Sequence, residues 1–207
     1  MSDFQWVFDK AETISINKRP MVAQSITRSN VVRAVSYGGG LWRFTVKLPD
    51  GMAWNTNRSY IEKIETLDRH TTGTVQINNS GYNSWLTPYL GGSANYTGFI
   101  ASWTLGAASI TLTTSPTTTS PAKKFLAGDV IQLGSSGHVY TVTADVAYNS
   151  NTVYLNRAVA DATATTTAIS VGPNVTWTVI CSEFPSWTIF ARNQVSWSAP
   201  FVFYEVI

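Results

Sequence analysis

At 207 residues the chain is one large domain or two small ones, and surface scaling leaves about 70% of its unfolded area buried, enough for a core without covalent staples. Its single cysteine, Cys181, rules out an intrachain disulfide, and a formal net charge of +2 is too small to attract nucleic acid or an anionic membrane. Only 13% of residues are charged, about half the usual share, while aromatics reach 13% with eight tryptophans; such a surface suits strands and protein contacts better than free helices.

The charge is unevenly spread. Residues 1–95 hold ten Lys/Arg against seven Asp/Glu, residues 96–172 three of each, and residues 173–207 one against two. The nearly neutral middle is therefore a different kind of surface. At the start, Met1 to Asp9 mixes Ser2, Asp3 and Gln5 with aromatics, so no signal peptide is expected, and no apolar run approaches the ~20 residues of a membrane span. The sequons at Asn57, Asn78, Asn95 and Asn174 are then expected to be chance matches in a Thr/Ser-rich chain.

The first clear element is a strand. Trp42, Phe44, Val46 and Leu48 alternate with Arg43, Thr45 and Lys47, the period of two that a half-buried strand needs. Val31 to Tyr37 precedes it across Gly38-Gly39-Gly40, which predicts a hairpin with a glycine turn. Pro49-Asp50-Gly51 ends the second strand. One helix is predicted from about Asn55 to Arg69, because Tyr60, Ile61, Ile64 and Leu67 fall on one face. Asn55 or Thr56 is the expected cap, Trp54 the expected staple, and Arg58–Glu62 and Glu65–Arg69 are spaced as i,i+4 pairs. Gly73 to Ile77 then reads as a returning strand.

From Asn78 to Gly98 the chain is loop-like, yet Tyr82, Trp85, Tyr89 and Tyr96 recur in it, so this loop is expected to pack against something. Short strands follow: Phe99 to Trp103, Ser109 to Thr113, Asp129 to Leu133, His138 to Thr143, Thr152 to Leu155 and Ile169 to Val171. Their spacing and intervening turns, Gly134 to Gly137 and Tyr148 to Asn151, imply a small barrel or sandwich. Beyond it, Val175, Trp177, Val179 and Cys181 alternate with Thr176, Thr178 and Ile180, and Trp187 to Phe190 and Val195 to Ile207 are dense in apolar residues.

So short and greasy a tail cannot fold by itself. It is expected to complete the N-terminal sheet, which gives a mainly β protein: a β-sandwich with one flanking helix from residues 1–95 plus 173–207, carrying an inserted β-barrel-like module at 96–172. Trp42, Phe44, Val46, Ile61, Ile64, Leu67, Trp177 and Val179 are the expected outer core.

Catalytic chemistry is hard to assemble from these residues. His70 follows the helix, where a cation suits the C-terminal end, and His138 opens a strand; neither has an adjacent nucleophile motif. One Cys and two isolated His give no zinc-ligand spacing. Asp129, Asp145 and Asp161 would have to pair for glycoside hydrolysis, but each lies at a turn or strand edge where Asp is common. No phosphate-cradling loop or nucleophile elbow is present. No catalytic residue, cofactor or metal is expected. An aromatic sugar platform from Trp85, Tyr89, Tyr96 and Trp103 is the main binding alternative, as a carbohydrate-binding module or receptor-binding adhesin, and Arg33, Arg43 and Lys47 form a basic stripe better explained as a solvated face.

The stretch Ile26-Thr-Arg-Ser-Asn-Val-Val-Arg-Ala-Val, then Gly39-Gly-Leu-Trp-Arg-Phe-Thr-Val-Lys-Leu-Pro, then the helix ending Leu67-Asp-Arg, resembles the opening of tailed-phage tail proteins, the distal tail and baseplate-hub class in particular. The run Ala127-Gly-Asp-Val-Ile-Gln-Leu, then Val139-Tyr-Thr-Val-Thr, is similar to β-barrel insertions in that class. The likeness spans about half the chain and is one of pattern. It implies a non-enzymatic structural protein of the virion, at the tail tip or baseplate. Its partners would be further copies of itself in a hexameric ring, and tail tube, hub, sheath or fibre proteins. It implies no membrane and no specific nucleic acid, although a genome could pass through the lumen. Tyr82, Trp85, Tyr89, Tyr96 and Trp103 are the candidate subunit or partner contacts on this reading. Few charges to desolvate and many rings to bury are what large protein contacts require.

Overall fold

Two separate cores, one for each kind of sequence, organise the computed structural model, which describes residues 3–18, 22–26, 28, 32–36, 40–67, 69–77, 87–92, 97–134, 137–190 and 192–206. In chain order the elements are α1 (Asp3–Asp9), β1 (Thr13–Asn17), β2 (Val22–Ile26), β3 (Val32–Ser36), β4 (Arg43–Lys47), β5 (Met52–Ala53), α2 (Trp54–Glu65) and β6 (Thr72–Val75). The middle carries β7 (Ile100–Trp103), β8 (Ser109–Thr114), β9 (Lys123–Phe125), β10 (Val130–Leu133), β11 (Val139–Thr141), β12 (Val146–Ala147), β13 (Thr152–Tyr154) and β14 (Ala164–Val171). After a 3-10 turn at Gly172–Asn174 come β15 (Trp177–Glu183), β16 (Trp187–Phe190), β17 (Gln194–Trp197) and β18 (Phe201–Glu205). The protein is mainly β, with antiparallel sheets, one short helix and a smaller N-terminal one.

While β16 and β17 form a separate sheet with β5, two of the C-terminal strands, β15 and β18, sit inside the N-terminal sheet. Its order is β1-β4-β18-β15-β6, so β18 pairs with β4 on one side and β15 on the other. The alternation in the sequence explains the pairing: Phe44, Val46, Trp177, Val179, Phe201 and Phe203 all turn inward and are buried. Trp42 and Phe44 each meet Trp177 edge-on, with ring centroids 5.5 and 5.6 Å apart, a geometry that suits the ring quadrupoles. Of the expected outer core, Trp42, Phe44, Val46, Ile61, Ile64, Trp177 and Val179 are buried, and Leu67 packs partly buried at its edge.

Cys181 lies in this core, and burial pushes its thiol up to about 12. The thiolate is the reactive form. We expect a thiol reagent at pH 8 to leave the native protein untouched and to label it once denaturant is added; rapid labelling of the folded chain would contradict the packing.

Several local expectations need correction. Val31 to Tyr37 does not pair with the Trp42 strand: β3 pairs with β2, and β4 with β1. The reason is β1, Thr-Ile-Ser-Ile-Asn, whose short alternation supplies the partner that the glycine hairpin was expected to provide. Asn17 faces Arg43 across the β1–β4 pair, and β2 and β3, which lie between them in the chain, pair with each other.

The helix starts at Trp54 and not at Asn55; its N-cap is Ala53, with no side-chain cap. Neither Asn55 nor Thr56 caps it, and Trp54 is helical and stacks on Trp187 at 4.7 Å instead of acting as a staple. Asn57 is turned into the protein and donates back to the Ala53 carbonyl. Glu65 accepts from the Trp187 indole.

In the middle, β14 absorbs the Thr/Ala-rich run expected to precede the strand, and β9 and β12 add a small ribbon. The six-stranded sheet, ordered β11-β10-β14-β7-β8-β13, curls strongly into a half-barrel. Its edges nearly meet: Val142 bridges Leu155, Asn156 N–H donates to the Thr141 carbonyl at 3.0 Å and Thr143 N–H to Tyr154 at 2.9 Å. Phe99, Phe125, Ile131, Tyr140, Val153 and Val171 fill it. Closing edges onto each other removes the exposed ladder that an open sheet would present.

Candidate functional site

The predicted contact residues separate on inspection. Tyr82, Trp85 and Tyr96 lie outside the described residues. Tyr89 and Trp103 are buried in the module core, so neither ring is available as a contact or a sugar platform. Each is held there by its polar handle. The Tyr89 hydroxyl donates to the Lys124 carbonyl at 2.8 Å, and the Trp103 indole donates to the Ala162 carbonyl at 2.8 Å. A buried ring whose one polar atom finds an acceptor is fully accounted for by the core.

The acids and histidines serve the turns. Asp129 accepts backbone N–H groups from Leu126 at 2.8 Å and Leu90 at 2.7 Å, tying the 88–92 segment to the start of β10. Burial raises its carboxyl pKa despite those bonds. Asp145 pairs with Lys123 and accepts from Ala127, and its pKa is lowered chiefly by Lys123. Asp161 takes the His138 ring nitrogen at 2.9 Å, the His138 backbone N–H at 3.0 Å and the Tyr140 hydroxyl at 2.7 Å. All three carboxylates have oxygens occupied by structural donors. His70 lies exposed just beyond α2. Among the described residues, no group of three or more His, Cys, Asp or Glu could hold a metal ion, and no helix is long and apolar enough to cross a membrane. In the basic stripe, Lys47 is paired with Glu12 at 3.0 Å and Arg43 lies over the Tyr204 ring; Arg33 sits on β3, away from β4.

The junction between the five-stranded sheet and the module holds the most deeply buried ion pair among the described residues, and the sequence reading missed it. Arg157, from the loop after β13, donates to Glu205 on β18 at 2.8 Å, to the Val139 carbonyl at 2.8 Å and to the Gly40 carbonyl at 3.1 Å. The two side chains are only 5% and 3% exposed, so the pair has almost no water to fall back on. Arg157 also lies over the Tyr140 ring at 5.1 Å. Around it, the Trp42 indole donates to Val139 at 3.1 Å, and Gln132 exchanges bonds with the backbone of Thr176 at 2.8 and 3.0 Å. Val130 and Val139, both in the module's strands, pack into the outer core. One signal was available: Arg157 and Glu205 are isolated charges in stretches otherwise poor in them.

Beside this junction lies a cleft of about 280 Å³, bounded by Ile16, Trp42, Ile77, Val130 and Trp177, with Lys18 contributing its amine. The Lys18 ammonium donates to the Thr141 hydroxyl at 2.9 Å and stands 5.2 Å from the Trp42 ring centroid. Burial lowers its pKa.

Among the described strands, β2–β3 is a two-stranded sheet of its own, as β9–β12 is. The sheet β16-β17-β5 ends on β16, where Ile189 and Phe190 are 48% and 45% exposed. Its turn carries Arg192 and Asn193 at φ of 65° and 62°, the left-handed region that Asn tolerates better than most residues. Strand β16 reads Trp-Thr-Ile-Phe: it has no charge, proline or bulge to deter pairing. No family model matches the chain, and no curated protein matches it either.

Proposed function

We propose that the protein is a non-enzymatic structural component of a phage tail tip or baseplate, assembling as a ring that connects the tail tube to hub, sheath or fibre proteins. The observation that carries the assembly part is the β2–β3 ribbon. Two strands of five residues, paired only with each other among the described strands, make a unit that is marginally stable in water. Such an arm is favoured when a neighbouring subunit covers it, and a cyclic array supplies one neighbour per copy through a heterologous, closing contact.

One further feature supports the reading. The unprotected edge of β16 is of the kind that becomes an interface or an aggregation hazard. The place in a phage tail rests on the resemblance of residues 26–69 and 127–143 to that class.

The arm gives a clean test. Because Asn17 and Arg43 already face each other, residues 20–39 can be replaced by a short Gly-Ser linker without breaking the β1–β4 pair. The shortened chain is expected to keep its circular dichroism and thermal transition while losing self-association in sedimentation velocity. Unchanged assembly by the shortened chain would sink the arm's role.

A further inference from the structure

The cleft beside the sheet–module junction is not needed by the ring reading and has the composition of a small-ligand site. Its volume of about 280 Å³ lies close to the lower bound of roughly 300 Å³ for such sites, and its walls are aliphatic and aromatic with few polar groups. One polar feature sets what would fit. The Lys18 ammonium, already partly desolvated, has a hydroxyl and a ring face for company, and no carboxylate pairs with it among the described residues. Trp177 also lines the cleft, but its indole N–H is buried out of a ligand's reach.

We infer that this cleft binds a small carboxylic acid with an apolar body. One ammonium without a carboxylate partner among the described residues matches one negative charge, and apolar walls penalise a second, so a monocarboxylate fits better than a phosphate dianion. The apolar body takes the space between Ile16, Ile77 and Val130, and the carboxylate takes the Lys18 ammonium. Trp42 contributes its ring face, because its own indole N–H is already given to Val139. An extended sugar is disfavoured, since both tryptophans are almost wholly buried and offer no open platform.

The probe is 4-phenylbutyrate, titrated calorimetrically into the full chain beside its neutral counterpart 4-phenylbutan-1-ol, with the tryptophan indole resonances followed in parallel. We expect saturable binding of the acid, moving the Trp42 and Trp177 indole signals first, and binding of the alcohol weaker by about tenfold or more. Lys18→Gln should lose the same factor for the acid and nothing for the alcohol, and because a glutamine amide can still donate to the Thr141 hydroxyl, the thermal transition should shift little. Ile16→Trp, which narrows the cleft without touching the ammonium, should weaken both. The assignment is overturned by any of three results: no saturation up to about 10 mM acid, equal affinity for acid and alcohol, or binding that leaves the Trp42 and Trp177 indoles unmoved.

Discussion

Arg157→Ala is expected to destabilise the fold by about 3–5 kcal/mol, because it leaves the Glu205 carboxylate buried without its cation. Glu205 cannot turn to water from where it sits: its side chain is 3% exposed, on a strand paired on both sides. The loss extends beyond the ion pair. The same guanidinium satisfies the Val139 and Gly40 carbonyls, so the junction would lose the donor that joins the module, the entry to β4 and β18 in one place. Urea denaturation reads this as a lower midpoint; for a chain of this size, the melting temperature should fall by on the order of 10 °C. The double variant Arg157→Met with Glu205→Leu should recover much of the loss, since apolar replacement of a whole buried pair is often neutral or better. A single-variant loss below about 1 kcal/mol would mean that water reaches the pair, as it does at surface bridges.

Phe8→Ala should cost a comparable amount, about 3–5 kcal/mol, although the residue sits in a seven-residue helix at the beginning of the described chain. So short a helix has little stability of its own and forms because its face is buried. That face is Phe4, Val7 and Phe8, all buried in the outer core. Phe8 packs against Phe44 at 5.5 Å and Phe203 at 5.2 Å, one ring from each arm of the shared sheet. Truncating it opens a cavity where the two ends of the chain meet. Neighbouring Trp6 stacks on Tyr60 of α2 at 5.5 Å, so the helix also fixes α2 to the sheet. A loss under 1 kcal/mol would show α1 to be a loosely held appendage.

These two residues also mark where the sequence was legible and where it was not. Alternation along Trp42 to Leu48 and Val175 to Cys181 names the inward residues of β4 and β15, because a sheet with one buried face imposes its period on every strand in it. The spacing of Ile61 and Ile64 does the same for α2. Helix α1 left a trace in the sequence, since Phe4, Val7 and Phe8 fall at i, i+3 and i+4, the pattern of a buried helical stripe, but seven residues are too few for the period to stand out. Strands β9 and β12, of three and two residues, are too short for any period to show. The partner of β4 could not be read because pairing depends on which strands close loops onto one another, and both β1 and β3 alternate.

The candidate contacts fared differently for a chemical reason. Tyr89 and Trp103 carry one polar atom each, which must find a partner if the ring is to be buried. In the fold the Lys124 and Ala162 carbonyls accept those atoms, and the rings become core. The pairing at the junction was not legible in the sequence: Arg157 and Glu205 show as isolated charges but stand 48 positions apart. Only the return of β18 to the middle of the sheet brings them together.

Native mass spectrometry of the full chain over a range of concentrations bears most directly on the reading as a ring subunit. A chain whose arm and bare β16 edge are meant for sister copies should give one closed species of hexameric mass whose size does not grow with concentration. A monomer at every concentration would contradict it, and so would a ladder of open, ever-larger species.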